Sequence, residues 1–311
     1  MSDRLADLDA HLQATAAARL ADFVELLRIP SVSALPEHAG HCREAAVWIA
    51  GRLKRAGLEH VEVAETGGHP VVYADWLHAD GAPTVLVYAH YDVQPDDPLE
   101  EWVKPPFDPR IEDGRVFARG AADDKSHVHM LISAAAAWLT VRGRLPINLR
   151  FVLEGEEESG SENLDRWLAA NRERLTADLA VISDTGFFEG NRPSITTGLR
   201  GMMYAQLDVT GPRQDLHSGG YGGTVRNPAT VLAEIIAGLH TPEGRVDVPG
   251  FYDDVRPLGE GERAEFARLP FDEADYMTEM GVEALFGEAG YSALERRGAR
   301  PTLEICGLWG G

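Results

Sequence analysis

The sequence of 311 residues has little cysteine and no long apolar run. Only Cys42 and Cys306 are present, which indicates two reduced thiols in a cytoplasmic protein and not a disulfide framework. No apolar run is long enough to span a bilayer. The start of the chain is charged and helix-periodic, without the apolar segment of a secretory signal. We therefore expect a cytoplasmic protein that has no membrane partner.

Basic residues are also scarce. The chain carries 29 Lys and Arg against 50 Asp and Glu, so its formal net charge is −21. Phosphate groups would be repelled by this charge unless a basic patch were segregated, and the sequence shows no such patch. The charge therefore argues against a nucleic-acid partner. Hydrophobic residues make up 44% and charged residues 25%, as in an ordinary globular protein with a sizeable core.

Apolar periodicity predicts an α/β fold with a mixed, largely parallel sheet flanked by helices. One long helix is expected before Pro30, and a second one is expected over 42–56 with a stop at Gly57. Strands and helices alternate after that. The predicted strands read EHVEVAE, PVVYADWL, TVLVYAHYDV, INLRFVLEG and DLAVISD, and the predicted helices read SHVHMLISAAAAWLTVRG and SENLDRWLAANRERL.

The character of the sequence changes near Gly198, which predicts two domains, 1–197 and 198–311. In the second domain, GLRGMMYAQLDVTGP alternates like an antiparallel strand and NPATVLAEIIAGLH is typical of a helix. Residues 241–298 are acidic and irregular, with short helical patches.

Acidic residues and one histidine stand directly after the predicted strands or directly before a predicted helix. Strands of such a sheet deliver their following residues to the same edge, so we expect these side chains to lie close together. The set is His90, Asp92, Asp123, Asp124, Glu157, Glu158 and Asp184.

Each member of this set also has a plain structural interpretation. A lone histidine is more often structural than a ligand, and the run 154–158 could begin a solvated helix. Asp123 and Asp124 could cap the next helix, and Asp184 could be a turn residue. All of these must hold together to explain the set, whereas a divalent-metal site explains it with one assumption. One histidine with several carboxylates suits zinc or manganese, and the surplus of acids favours two cations.

Longer motifs surround these residues. They read VLVYAHYDVQP, WVKPPFDPRIEDGRVFARGAADDK, LEGEEESGS, ISDT, and SITTGLRG followed by DLHSGGYGG. In these motifs the sequence resembles the co-catalytic zinc dipeptidases of the carnosinase and cytosolic nonspecific dipeptidase group, which are relatives of the aminoacylases and glutamate carboxypeptidases. The resemblance runs from LLRIPSVSA to the last residues.

The resemblance implies a zinc-exopeptidase type of fold. Residues 1–197 would form the catalytic, metal-binding domain, and 198–311 would form part of an inserted, smaller α+β lid or dimerisation domain. It also implies a homodimer, a small peptide substrate and two zinc ions per subunit, with manganese as the alternative. The activity implied is metal-dependent hydrolysis of dipeptides or short peptides.

Metal ligands are implied by the same resemblance. His90 and Asp184 would hold the first ion, Glu158 would hold the second, and Asp123 would bridge the two. The family also implies a cis peptide bond between Asp123 and Asp124.

Catalytic roles follow in the same way. Glu157 matches the general base, and Asp92 matches the acid that orients the site. His217 of DLHSGG matches a histidine that stabilises the oxyanion across a dimer interface.

The sequence departs from the family in two respects. Ser126 stands where the family usually has glycine, which we expect to matter little. The family's late histidine ligand and its substrate-binding arginine have no counterpart here, and we interpret His127 and His129 as surface or core residues. We therefore expect a fragment of a longer enzyme that binds one cation much better than the other. It should hydrolyse dipeptides poorly or not at all and expose apolar surface.

Other functions stay open at this point. The same metals could serve an N-acyl amino acid deacylase, and the fold could bind metal without turnover. An acidic scaffold without metal is a further alternative. Glu157 has no purpose in metal storage, so its presence favours hydrolysis.

Overall fold

The computed structural model describes residues 5–188 and 192–310. The chain divides into two compact units, Met1–Gly186 and Phe187–Gly311. The boundary expected from the sequence lay between residues 197 and 198, and the assignment of the two parts as catalytic and lid or dimerisation domains stays a prediction. Within the described residues, no helix combines the length and the apolar character that crossing a bilayer requires.

Helices and strands alternate along the first unit, mostly as the sequence predicts. The helices are α1 (Ala6–Ala14), α2 (Ala16–Leu27), α3 (Ala39–Ala56), α4 (Lys125–Arg142) and α5 (Glu162–Ala170). The strands are β1 (Glu59–Ala64), β2 (Val71–Trp76), β3 (Thr84–His90), β4 (Arg110–Glu112), β5 (Arg115–Phe117), β6 (Asn148–Glu154) and β7 (Leu179–Ile182).

The single long first helix predicted from the sequence is wrong, because the chain breaks into α1 and α2 at Thr15. The hydroxyl of Thr15 donates to the carbonyl of His11 at 2.8 Å. Threonine hydroxyls compete with the backbone in this way and interrupt or bend helices. Arg19 then bonds back to the carbonyl of Leu12 at 2.6 Å, which holds the two helices together across the break.

Five strands form one mixed sheet in the order β1–β2–β6–β3–β7, which confirms the predicted fold class. β2 pairs antiparallel with β1 and with β6, whereas β3 pairs parallel with β6 and with β7. His90 lies opposite Glu154 in the register, and Tyr88 lies opposite Ile182. The carboxyl ends of β6, β3 and β7 therefore meet at one edge of the sheet.

The core fills both faces of this sheet. On one face, Leu53 of α3 and Ile132 of α4 belong to a buried cluster with Phe151 of β6. On the other face, Tyr73 of β2 packs in a cluster with Trp167 of α5. Successive strand residues point to opposite faces, so β1, β2, β3 and β6 contribute side chains to both clusters. The residues of β7 belong to neither cluster and are exposed. Such a two-sided core holds the strand ends in fixed positions.

A glycine explains where α3 ends. The helix stops where Gly57 takes a φ of +90°, a conformation that glycine adopts without a Cβ penalty, and this confirms the predicted stop. Both cysteines are free, as the sequence predicts. Cys42 is buried and Cys306 is exposed.

Among the described residues of the second unit, short helices are joined by long irregular segments. Its helices are α6 (Ser218–Tyr221), α7 (Pro228–Ala237), α8 (Glu260–Arg268), α9 (Glu273–Met280) and α10 (Ala293–Gly298). The helix predicted over NPATVLAEIIAGLH is confirmed by α7, which begins where the Asn227 side chain accepts the N–H of Ala229. The strand predicted over 198–212 is wrong, because no described segment pairs with it. A strand needs a partner for its backbone groups, and Met203 is 86% exposed.

A stack of arginine and tyrosine side chains organises part of this second unit. Arg300 is 5% exposed, and its Nε and Nη2 donate to the carboxylate of Glu288 at 2.8 and 2.9 Å. Its guanidinium lies 4.3 Å from the ring centre of Tyr291 and 5.5 Å from that of Tyr252. Arg245 stacks on Tyr252 at 3.9 Å. The planar fork of arginine satisfies the acid and both rings together, which lysine cannot do.

We predict that Arg300→Lys lowers the opening free energy of α10 by about 1–3 kcal/mol, because the two-pronged bond to Glu288 is lost. Native-state amide hydrogen exchange in α10 measures this quantity. The matched control is Arg268→Lys, which affects an exposed pair with Glu265 and should change it by less than about 0.5 kcal/mol. Equal effects from the two variants would contradict the prediction.

Candidate metal centre

Asp92 joins the ends of two strands. It lies two residues beyond the end of β3, and its side chain is fully buried. One carboxylate oxygen accepts the N–H of Glu157 at 3.2 Å and the other accepts the N–H of Glu158 at 3.0 Å. The turn after β6 is thereby fixed against the end of β3. Charged acceptors of backbone N–H groups make strong hydrogen bonds, which offset the cost of burying the acid.

His90 is the last residue of β3 and is buried with one ring edge toward the acids. Its Nδ1 lies 3.1 Å from the carbonyl oxygen of Asp92 and 3.3 Å from a carboxylate oxygen of the same residue. Its Nε2 lies 3.0 Å from Oδ1 of Asp123 and 3.9 Å from Oε2 of Glu157. Asp92 therefore sets the orientation of the ring, and Nε2 is the nitrogen directed into the site.

The segment before α4 supplies two aspartates that face different neighbours. The peptide bond between Asp123 and Asp124 is cis, which confirms the bond that the family resemblance implied. Asp124 precedes the first residue of α4, but its side chain makes no capping bond; it accepts the N–H of His90 at 3.0 Å. Next to it, Lys125 is fully buried and its Nζ donates to the carbonyl of Ile29 at 2.6 Å. The segment is thus fixed from both sides.

Two groups of possible ligands converge at this edge. Donor atoms of His90, Asp123 and Glu158 all lie within 4.8 Å of one another, and so do donor atoms of His90, Asp124 and Asp184. The four residues predicted as metal ligands therefore lie close to one place. The structure groups Asp184 with Asp124, whereas the family resemblance grouped it with Asp123. The bridging role of Asp123 stays a prediction.

Glu154 and Glu156 belong to the run that could have begun a solvated helix, but both anchor the structure. Glu154 is the last residue of β6 and is buried, and the hydroxyls of Tyr88 and Ser161 donate to its carboxylate. Glu156 is 8% exposed and accepts the N–H of His69 at 2.9 Å. These contacts hold the glutamate run in place, so that the next two glutamates are the ones that reach the site.

The environment shifts the pKa of several site groups. Burial raises the pKa of Glu157 and of Glu158, and neighbouring acids add to the effect. Burial opposes the charged form of His90, but the acids around it, Asp92 first, raise its pKa to about 10. A region where acids repel one another and a histidine keeps its proton favours the arrival of a cation.

The donor set fits a divalent metal. It offers one imidazole nitrogen and several carboxylate oxygens, the ligand chemistry of zinc and manganese sites that carry out hydrolysis. His90 would bind through Nε2, since Nδ1 is directed at Asp92. Gln94 supports the group of His90, Asp123 and Glu158 by donating to Oε2 of Glu158 at 2.6 Å.

Three other residues named from the sequence lie as follows. Ser126 donates to the carbonyl of Ala122 at 3.2 Å, within the first turn of α4. His217 belongs to the second unit, where its Nδ1 accepts the N–H of Gly219 at 2.9 Å, and its role stays a prediction. His127 contacts Asp124 and so borders the site, which corrects its interpretation as an ordinary surface or core residue.

Sequence reasoning included Asp124 in the set expected at this edge but gave it no ligand role, and it gave His127 no part in the site. Position along the chain was the available signal, because both residues lie within four positions of a predicted ligand. Which of two adjacent aspartates faces the metal depends on the local path of the backbone, which periodicity does not encode.

Comparisons with known proteins agree with this geometry. The family model of Peptidase family M20/M25/M40 matches residues 86–305. Cys-Gly metallodipeptidase dug1 of Schizosaccharomyces pombe is 34% identical over 295 residues, which are 91% of this chain and 62% of that protein. Human Beta-Ala-His dipeptidase is 33% identical over 243 residues, 78% of this chain and 48% of its own length.

A solved dipeptidase structure is also similar to this chain. The structure of the dipeptidase Dug1p from Saccharomyces cerevisiae superimposes with a TM-score of 0.82 at 25% identity, over 99% of this chain and 67% of that one. This chain spans only 62% and 48% of the length of the two curated relatives described here.

Asp92→Asn should weaken both the fold and the metal site. The amide NH2 of asparagine would face a backbone N–H in the turn after β6. Both groups are hydrogen-bond donors, so the bond that the carboxylate oxygen accepts there would be lost. We expect a loss of about 1–3 kcal/mol in the free energy of unfolding and about a 10–100-fold loss of zinc affinity. Urea unfolding and calorimetric titration measure the two effects. Asp80→Asn, at an exposed turn, is the control; an Asp92→Asn protein equal to it would contradict this prediction.

Zinc binding at neutral pH should release about one proton, because His90, with a pKa of about 10, must lose its proton to become a ligand. It follows that zinc affinity rises with pH below that value, by about tenfold per unit for one proton. Calorimetric titrations in two buffers with different ionisation enthalpies measure the number of protons. A binding heat that does not depend on the buffer would show that His90 is neutral or does not bind zinc.

Proposed function

The chain belongs to Peptidase family M20/M25/M40, and from this membership we propose that it is a metal-dependent dipeptidase with its active site at the carboxyl ends of β3, β6 and β7. One observation carries the proposal. The ligand atoms of His90, Asp123 and Glu158 lie within 4.8 Å of one another, next to an acid, Glu157, that is free to act on a substrate. The two curated relatives described above are named as dipeptidases, which supports dipeptides as the substrate class here.

We place two divalent ions at this site, zinc with manganese as the alternative. The residues that would hold them are His90, Asp123, Glu158 and Asp184. When bound, such ions polarise the carbonyl of the scissile bond and lower the pKa of a water molecule toward neutrality. The protein's part is to keep the donors converged at a partly closed edge of the sheet.

Glu157 is the general base of the proposal. Its side chain is about one third exposed, at 37%, so one oxygen can face the substrate, and its Oε2 lies 3.9 Å from Nε2 of His90. Burial raises its pKa, which brings its proton affinity closer to that of the groups it must serve at neutral pH. Glu157 takes a proton from the attacking water as the C–O bond forms. It then gives that proton to the leaving amine nitrogen as the C–N bond breaks.

Two further residues assist in this proposal. Asp92 is a positioning residue, because it fixes the ring of His90 and the backbone of Glu157 at the same time. His217 would donate to the carbonyl oxygen as negative charge develops there. A homodimer, which would supply His217 from the partner subunit, and a cytoplasmic location are parts of the same proposal.

Glu157→Gln tests the base directly. The variant keeps the size and the backbone bond to Asp92 but cannot take up the proton, so we expect dipeptide hydrolysis to fall by about 10²–10⁴-fold while zinc affinity is retained. Hydrolysis is measured as the rate at which the zinc-loaded protein releases amino acids from Cys-Gly and β-Ala-His. Glu162→Gln is the matched control, since its side chain is 79% exposed on α5.

The outcomes separate the competing functions. A Glu157→Gln protein with the wild-type rate would show that the base is another group. Release of amino acids from N-acetyl amino acids, without release from dipeptides, would replace the dipeptidase with a deacylase. Tight zinc binding by the wild-type protein without turnover of either substrate class would favour the alternative that this chain binds metal without turnover.

A further inference from the structure

His127, in the first turn of α4, makes two contacts that lead in different directions. Its Nε2 lies 3.0 Å from the carbonyl oxygen of Thr185, the residue after Asp184. A carbonyl oxygen only accepts, so Nε2 carries a proton and donates it. Its Nδ1 forms an ion pair with Oδ1 of Asp124. The ring therefore joins α4 to the segment that follows β7.

Asp124 extends this connection to the centre of the sheet. Its second oxygen, Oδ2, accepts the N–H of His90 at 3.0 Å. A continuous set of contacts thus runs from the end of β3, through Asp124 and His127, to the carbonyl of Thr185. Donor atoms of His90, Asp124 and Asp184, which lie along this path, are within 4.8 Å of one another.

The segment after β7, which carries Asp184, receives little support from the sheet itself. β7 lies at the edge of the sheet and is bonded to β3 alone among the described strands. Its side chains are exposed, with Leu179 at 57% and Ile182 at 64%. Ser183 donates its N–H to the carbonyl of Tyr88 at 3.0 Å, as the backbone leaves the sheet. Past that bond, His127 supplies the next attachment.

We propose that His127 is a positioning residue that keeps Asp184 at the metal centre by fixing the backbone after β7, with Asp124 holding its ring in place. This inference rests on the proposed function, because it treats Asp184 as a ligand. An imidazole suits the task because its two nitrogens reach acceptors on opposite sides of one rigid ring. Glutamine has only one amide group, so it can donate to Thr185 but cannot form the ion pair with Asp124 at the same time.

The chain offers a matched control on the same helix. His129 is two residues further along α4, and two helical residues are separated by about 200° of rotation, so its ring points away from the site. It lies 5.4 Å, ring to ring, from Phe23 of α2. Replacing His129 tests the general effect of losing a histidine from this helix.

The test compares His127→Ala, His127→Gln and His129→Gln with the wild-type protein in two measurements. In the metal-free protein, we expect amide hydrogen exchange in residues 179–186 to become faster in His127→Ala by at least about fivefold. In calorimetric zinc titrations, we expect the affinity of one site to fall by about 10–100-fold, as when a group that orients a metal ligand is removed. His127→Gln should recover part of both losses, and His129→Gln should match the wild type.

A purely structural role would lower the melting temperature without affecting one zinc site more than the other. Three results would overturn the positioning role. They are a wild-type rate of amide exchange in His127→Ala, a wild-type zinc affinity in His127→Ala, and changes in His129→Gln as large as those in His127→Ala. Failure of the wild-type protein to bind zinc is a separate result. It would overturn the proposed function, and with it the role of Asp184 as a ligand, even where exchange in His127→Ala is faster.

Discussion

The site depends on one buried carboxylate, that of Asp92. This acid follows β3, and it accepts backbone N–H groups from the turn that follows β6, so two parallel strand ends are fastened to each other. Burying a charge is costly unless it is paired and hydrogen-bonded, and here His90 and two N–H groups provide both. Because the same acid orients His90 and places Glu157, the geometry of the centre follows from a single set of bonds.

Acids gathered at one edge of a sheet create an electrostatic problem that a cation solves. Glu157 and Glu158 lose hydration and repel their neighbours, so their pKa values rise. The free protein responds by keeping a proton on His90, whose pKa of about 10 reflects the negative charge around it. Protons and metal ions thus compete for the same negative charge, and the proton on His90 must leave before its ring can bind a metal ion.

The sequence was sufficient where the signal is local or repeats. Apolar runs followed by an acid or histidine predicted the convergence of His90 and Asp184, because parallel strands must end at one edge. Sequence reasoning failed where the two residues of a contact are far apart in the chain. Glu156 is buried because His69 donates to it, and no periodicity near residue 156 reveals that bond. The segment 198–212 alternates like a strand, but alternation cannot supply the partner that a strand requires.

The strands that carry the possible ligands are not equally well supported, so the two groups of possible ligands differ in how firmly their members are held. β3 lies between β6 and β7, so His90 stands at the end of a strand bonded on both sides. Asp184 follows an edge strand with exposed side chains, and strand edges open more easily than the interior of a sheet. A ligand held loosely loses more entropy when it binds an ion. The affinity of a site that relies on Asp184 therefore depends on what holds its backbone, whereas a site built on His90, Asp123 and Glu158 draws on the best-supported part of the fold.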